Sequence, residues 1–145
     1  LIHRRPIDFT DFAAGLDRFK IKLEKHASDV IAVYLFGSCA RNEFKPLSDV
    51  DIGILFVPPV KSELETRVLI NAMEALHTEE VDLVVLNDAP LHIQYEAIKE
   101  RKIIFCTNHE RRADFETRVL MEYLDFAPIR NEFFKEYMKR LGLGG

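Results

Sequence analysis

The run from Tyr34 to Phe56, YLFGSCARNEFKPLSDVDIGILF, sets two carboxylates at the head of an apolar stretch that reads as a buried strand. Aspartate is depleted from strands and almost never fully buried without a partner. Side chains alternate along a strand, so Asp49 and Asp51 project from one side, while Ile52, Ile54 and Phe56 take the other and face core. Two parallel carboxylates repel, and one of them gains a raised pKa unless a cation lies between them. Whatever fold this chain adopts must accommodate that pair.

Twelve residues upstream of Asp49, the apolar run Val30–Phe36 ends in Gly37-Ser38, and Cys39-Ala40-Arg41 then allows a helical turn to begin. Gly37 permits close backbone approach, and Ser38 offers a hydroxyl beside the unpaired N–H groups of a helix start, an arrangement that binds phosphate. Arg41 would add a fixed positive charge within reach of the same oxygens. A third acid, Asp82, opens the apolar run Val81–Leu86. If that strand pairs with the one carrying Asp51, the three acids form a triad. Taken singly, each of these features is an ordinary strand end or turn. Together they describe a site for hard cations with oxygen ligands, two Mg²⁺ bridging a nucleoside triphosphate.

The rest of the chain alternates strands and helices. Phe12, Leu16, Phe19 and Leu23 recur at helical spacing and predict a helix over about 10–26 capped by Thr10. Strands are expected at Val30–Phe36, Val50–Val57, 81–86 and 102–106, with helices at Ser62–Leu76 and from near Pro90. From Glu110 onward only helical periodicity remains, broken by Pro128. This pattern predicts an α/β (α+β) fold with a small central sheet and a C-terminal helical tail. In that tail Phe115, Tyr123, Phe126, Phe133, Phe134 and Tyr137 are expected to be mainly core. Phe133 and Phe134 are adjacent and point apart on a helix, so one of them is a candidate for a partner or self-association surface.

With 145 residues, 48% of them hydrophobic and eleven of them Phe, the chain suits one compact domain over 1–145. No apolar run is long enough to span a bilayer, and the first residues lack a secretion signal. The two cysteines, Cys39 and Cys106, are too few for a disulfide framework and are expected as reduced thiols in a cytoplasmic protein. A net charge of −4 argues against a nucleic-acid-binding surface. The basic pairs Arg101-Lys102 and Arg111-Arg112 are expected as solvated surface, and the histidines show no metal-ligand spacing.

Gly37-Ser38, ten residues and Asp49-Val50-Asp51 resemble the signature of the polymerase-beta-type nucleotidyltransferase superfamily, and GSCAR followed by SDVD looks like its minimal nucleotidyltransferase branch. Within that branch the chain most resembles MntA-like antitoxins that partner a HEPN ribonuclease toxin in type VII toxin–antitoxin systems. The likeness runs nearly end to end, through EVDLVVL, the helix carrying Tyr95-Glu96-Ala97-Ile98 before Lys102–Phe105, and YLDFAPIR at Tyr123–Arg130. It implies a nucleotidyltransferase fold with a small mixed sheet and a C-terminal extension over about 110–145. It further implies ATP as substrate and Gly37, Ser38 and Arg41 as nucleotide-binding residues. Asp49 and Asp51 would hold both Mg²⁺ ions, and Asp82 only the one that binds the attacking hydroxyl, whose proton Asp82 would accept. The acceptor would be a tyrosine of a HEPN toxin, with no nucleic acid and no membrane involved and assembly either with itself or with the toxin. The chain departs from the branch at Asn42, where glycine is usual, and at Phe44, where a small residue is common. Two rival readings remain: a small-molecule nucleotidyltransferase, and a protein that neutralises a toxin by contact alone.

Overall fold

A computed structural model describes residues 10–43 and 49–143. The elements run α1 (Phe12–Glu24), β1 (Val30–Phe36), α2 (Gly37–Ala40), β2 (Val50–Phe56), α3 (Ser62–Leu76), β3 (Val81–Val85), α4 (Leu91–Lys99), β4 (Lys102–Cys106), α5 (His109–Asp125) and α6 (Ala127–Arg140). The four strands form one mixed sheet in the order β3-β2-β1-β4, with β1 antiparallel to both β2 and β4 and β2 parallel to β3. This is the α/β arrangement expected from alternating strands and helices, and no described helix is long and apolar enough to cross a membrane.

Both faces of the sheet are covered. On one, Val33, Leu35, Ile52, Ile54 and Phe56 meet Phe19 and Leu23 of α1 and Val68 and Ala72 of α3. On the other, Tyr34, Phe36 and Leu55 meet Ala97 and Ile98 of α4 and Phe115 and Val119 of α5. β1, covered on both sides, is buried at every position. Its seven-residue apolar run has no polar alternation because it has no wet face. Gly53, in mid β2, lets α4 settle onto the sheet. A Cβ there would press on the Leu86 methyls at 3.1 and 3.2 Å and on Ala97 at 3.3 Å.

Five expectations are corrected. The α1 cap position is Asp11, not Thr10, and its carboxylate is drawn to Arg18 and His77 rather than to the helix N–H groups. β3 stops at Val85, and Leu86 starts a short 3₁₀ turn. Asn87 in that turn takes over the pairing: its side chain accepts from Phe56 N and donates to Phe56 O, both at 2.9 Å, and so extends the ladder beyond the strand's end. The aromatic tail, expected mainly as core, is divided. Phe115 and Val119 are buried, but α6 buries none of its described side chains, and Phe133 and Phe134 are 48% and 62% exposed. The helix break lies at Phe126, with Pro128 in the first turn of α6, where its missing N–H costs nothing. Arg112 is not surface either; it lies half-buried between α5 and the sheet, paired with Glu116 at 3.4 Å.

Truncation should therefore separate the two regions. Phe19→Ala should cost about 3–5 kcal/mol, and Phe133→Ala less than about 0.5 kcal/mol, both read by denaturant unfolding. A large loss at Phe133 would mean that α6 packs against something in the folded monomer.

Candidate active site

The three acids come from neighbouring strands. Asp51 and Asp82 are register partners in the parallel β2–β3 pair, and Phe36, the last residue of β1, is the partner of Asp51 on the other side. Residues opposite one another share a face, so Asp51 and Asp82 project on the α4–α5 side of the sheet. A backbone hydrogen bond of 2.8 Å from Val50 N to Glu80 O closes the ladder ahead of β3 and fixes the start of β2, with Asp49 immediately before it. The Cys39 thiol donates to Asp49 O at 3.6 Å, which ties the segment entering β2 back to α2.

Gly37 is where the turn and the acids meet. Its φ is +70°, a left-handed conformation, and a Cβ at this position would overlap Asp51 Oδ2 and lie 3.1 Å from Asp51 Cγ. Glycine is required twice over, by the backbone angle and by the carboxylate pressed against it. α2, which starts here, is a single turn whose first N–H groups receive no side-chain cap. Asn42 closes the turn at φ +57°, the left-handed angle that asparagine tolerates. Phe44 and the other residues of 44–48 lie outside the described residues, as does the N-terminal segment 1–9.

The electrostatics agree with this geometry. Burial, then the nearby charge of Asp82 and then that of Asp49, push the Asp51 carboxyl up to about 6. Asp49 and Asp82 are exposed, and Asp51 is half-buried between them. Among the described residues no three His, Cys, Asp or Glu side chains are already disposed to hold a metal ion. Asp51 feels the charges of Asp82 and Asp49, although the three carboxylates have not closed on a common point. As a donor set, anionic oxygens around a half-buried carboxylate with no counter-charge among the described residues fit a hard cation such as Mg²⁺.

Arg41 is committed elsewhere. Its guanidinium pairs with Glu43 at 3.4 Å and with Glu100, at the end of α4, at 3.2 Å. Glu100 was not legible as part of the site, since it lies 59 residues from Arg41 and meets it only when β4 returns beside β1. A second group that the sequence did not mark lies on the same face. Tyr34, fully buried in β1, donates its hydroxyl to Glu116 at 3.1 Å, and burial followed by the Glu116 charge raises the phenol's pKa. The i,i+4 pair Arg112 and Glu116 was the available signal.

The family described as Polymerase beta, Nucleotidyltransferase matches residues 19–110, which span every strand and all three acids. A protein of Methanocaldococcus jannaschii named for protein adenylyltransferase activity is 31% identical over 78 residues, covering 54% of this chain and 57% of that relative. The chain thus spans little more than half of the curated relative it matches. Among solved structures, a chain from a toxin–antitoxin with AMP-PNP superposes with a TM-score of 0.66 at 20% identity, over 85% of this chain and 98% of the other. A chain from the complex of a tri-AMPylated Shewanella oneidensis HEPN toxin with its MNT antitoxin gives 0.60 at 20% identity, over 86% and 96%. At such identities the likeness is one of fold.

The raised Asp51 makes a signed prediction. A carboxyl whose folded pKa lies above its ordinary 3.8 favours the fold when protonated, so its ionisation weakens the fold as pH rises from about 4 through about 6. A shift of that size corresponds to at most about 3 kcal/mol, and solvent screening at a half-exposed group reduces it to roughly 1–2 kcal/mol. In metal-free buffer, Asp51→Asn should stabilise the fold by that amount near neutral pH, with the gain vanishing below about pH 4. Thermal melts across the range test this; destabilisation at neutral pH would contradict it.

Proposed function

The chain belongs to the polymerase beta nucleotidyltransferase family, and from that premise we propose that it is an MntA-type antitoxin that transfers AMP from ATP to a tyrosine hydroxyl of a cognate HEPN ribonuclease toxin. The observation that carries the reading is the register of Asp51 against Asp82, with Gly37 packed onto Asp51 where the Gly37-Ser38 turn begins. The named activity of the Methanocaldococcus relative and the fold shared with the AMP-PNP complex and with the antitoxin of the AMPylated toxin support the choice of reaction.

In this reading the triphosphate lies along the Gly37-Ser38 turn, with its α-phosphorus toward the acids. Asp49 and Asp51 would hold two Mg²⁺ ions, joined by Asp82 at the hydroxyl side; when bound, they lower the hydroxyl's pKa and offset the triphosphate charge. Asp82 accepts the tyrosine proton as the phenolic oxygen bonds to the α-phosphorus. The bond from that phosphorus to the bridging oxygen breaks, and pyrophosphate leaves. Arg41 reaches the phosphate oxygens by exchanging Glu43 and Glu100 for them, a substitution of one anionic partner for another. The product tyrosine bears an AMP whose negative charge opposes RNA phosphates at the toxin's site.

With Mg²⁺, ATP labelled at the α-phosphate and a HEPN partner, label should pass to the partner. Asp49→Ala combined with Asp51→Ala should reduce transfer by at least about a thousandfold, as expected for loss of a metal-binding pair. If the double variant still silences the toxin fully in cells, neutralisation is by contact and the enzymatic reading fails. Arg41→Ala should raise the KM for ATP about tenfold with a smaller change in kcat. A fall in kcat alone would remove Arg41 from nucleotide binding.

A further inference from the structure

β4 is an edge strand, and its outer side pairs with no strand among the described residues. A cleft opens on each of its faces. One, of about 510 Å³ between α4 and α5, has Tyr95, Ile98 and Leu120 among its walls; the other, of about 410 Å³, lies against Leu16 of α1 and Leu35 of β1. Arg101 and Ile103 line both, and Ile103 is 37% exposed between them. Alternate side chains of an added strand point to opposite faces of the sheet, so two clefts flanking one bare edge match the side-chain spacing of an extended peptide.

The charge here runs against that of the whole molecule. The chain carries −4, yet five cations, Lys20, Lys99, Arg101, Lys102 and Arg112, line the two clefts against the acids Asp17 and Glu116. Lys99 is held by Glu96 at 2.8 Å and Arg112 by Glu116, but Arg101 and Lys102 have no ion-pair partner among the described residues. Arg112 Nε is buried without a hydrogen-bond partner, so that cation too is incompletely offset. Arg101 also stands at φ +55°, just after α4, where glycine or asparagine is the usual residue. An arginine at that angle costs on the order of 1 kcal/mol.

We propose that the β4 edge docks an extended acidic segment of the acceptor protein, which pairs with the strand and sends alternate side chains into the two clefts. Lysines and an irregular register at an edge ordinarily repel stray strands, and β4 has both, with its register slipping opposite Val33 and Tyr34. Such cations repel a basic strand and a second copy of this same edge, but they attract an acidic one. The edge is also connected to the active end. Lys102 pairs with Leu35, one residue before Phe36, whose partner on the other side is Asp51. Glu100, beside Arg101, is held by Arg41. An added strand would lie about three strand spacings, roughly 14 Å, from β2, so the residues that follow it cross Arg101 toward the Gly37 turn. The acceptor's identity rests on the transferase reading; the docking chemistry does not.

The test uses a fluorescein-labelled nine-residue peptide alternating glutamate with valine and tyrosine, beside a version with lysine for glutamate. Anisotropy should show binding of the acidic peptide alone, weakening with salt, and hydrogen exchange should show new protection at the amides of 103–106. Arg101→Gly relieves the left-handed strain, so it should leave the fold at least as stable while weakening the peptide at least about tenfold; Arg101→Glu with Lys102→Glu should abolish binding. Equal binding of the basic peptide, protection confined to α6, or tighter binding of a single-stranded oligouridylate would overturn the proposal. So would label transfer to a HEPN partner by Arg101→Gly at the unmodified rate. Peptide binding as described, with no label transferred by the intact protein, would defeat the transferase reading and leave the docking edge standing.

Discussion

Asp51 is held between Asp82 and Gly37, and much of the fold follows from keeping it there. A half-buried carboxylate beside two others, with no cation among the described residues near it, weakens the fold at neutral pH. It persists because the surrounding backbone allows it no other place. β2 is hydrogen-bonded on both edges, Val50 N is latched to Glu80 O, and Gly37 comes so close that a methyl group at its position would displace the carboxylate. A flexible loop would relax such charges apart. A central strand cannot, and it keeps the acids facing the turn.

The rigidity of that strand comes from the two cores. Ile52, Ile54 and Phe56 anchor β2 to the α1–α3 side, while Gly53 brings Leu86 and α4 down on the other. α4 then has two roles, covering the sheet and carrying Glu100 to Arg41. The cation that the turn would offer to phosphate is held ready by a surface carboxylate. Exposed pairs of this kind contribute little to stability, so exchanging Glu100 for a triphosphate oxygen costs the fold little.

What could be read in advance was local in character. The strand limits of β1, the α3 span and the Gly37–Asp51 relation all follow from short-range pattern: a β-branched run bounded by Asp29 and Gly37, apolar residues at helical spacing, and the fixed interval between turn and acids. Asn42 at φ +57° confirms that the turn survives the loss of its usual glycine. What was missed depends on contacts across the chain. Asp11 caps poorly because Arg18 and His77 claim its carboxylate, Arg112 pairs with a Glu116 that also accepts from a tyrosine of β1, and Glu100 reaches Arg41 only through the order of strands. The aromatic tail was misjudged for a different reason. Helical spacing of Phe133, Tyr137 and Leu141 shows that these residues share a face, but not that a partner exists for that face in the same chain.

Net charge, in turn, averages over surfaces that do different things. Acidic overall, the molecule suits a protein acceptor better than a nucleic acid, and that inference needs no basic groove anywhere. Yet Asp51 and Asp82 lie on the β2–β3 side of the sheet, while Arg101 and Lys102, without an ion-pair partner among the described residues, line the clefts at the β4 edge. A sheet with carboxylates toward one edge and cations at the other separates two tasks along a single axis. In the proposed function the acids would take metal and triphosphate, whose charges balance each other locally. The basic edge is left to meet something larger, and because its backbone is unpaired, an acidic strand would satisfy both its charge and its hydrogen-bonding groups.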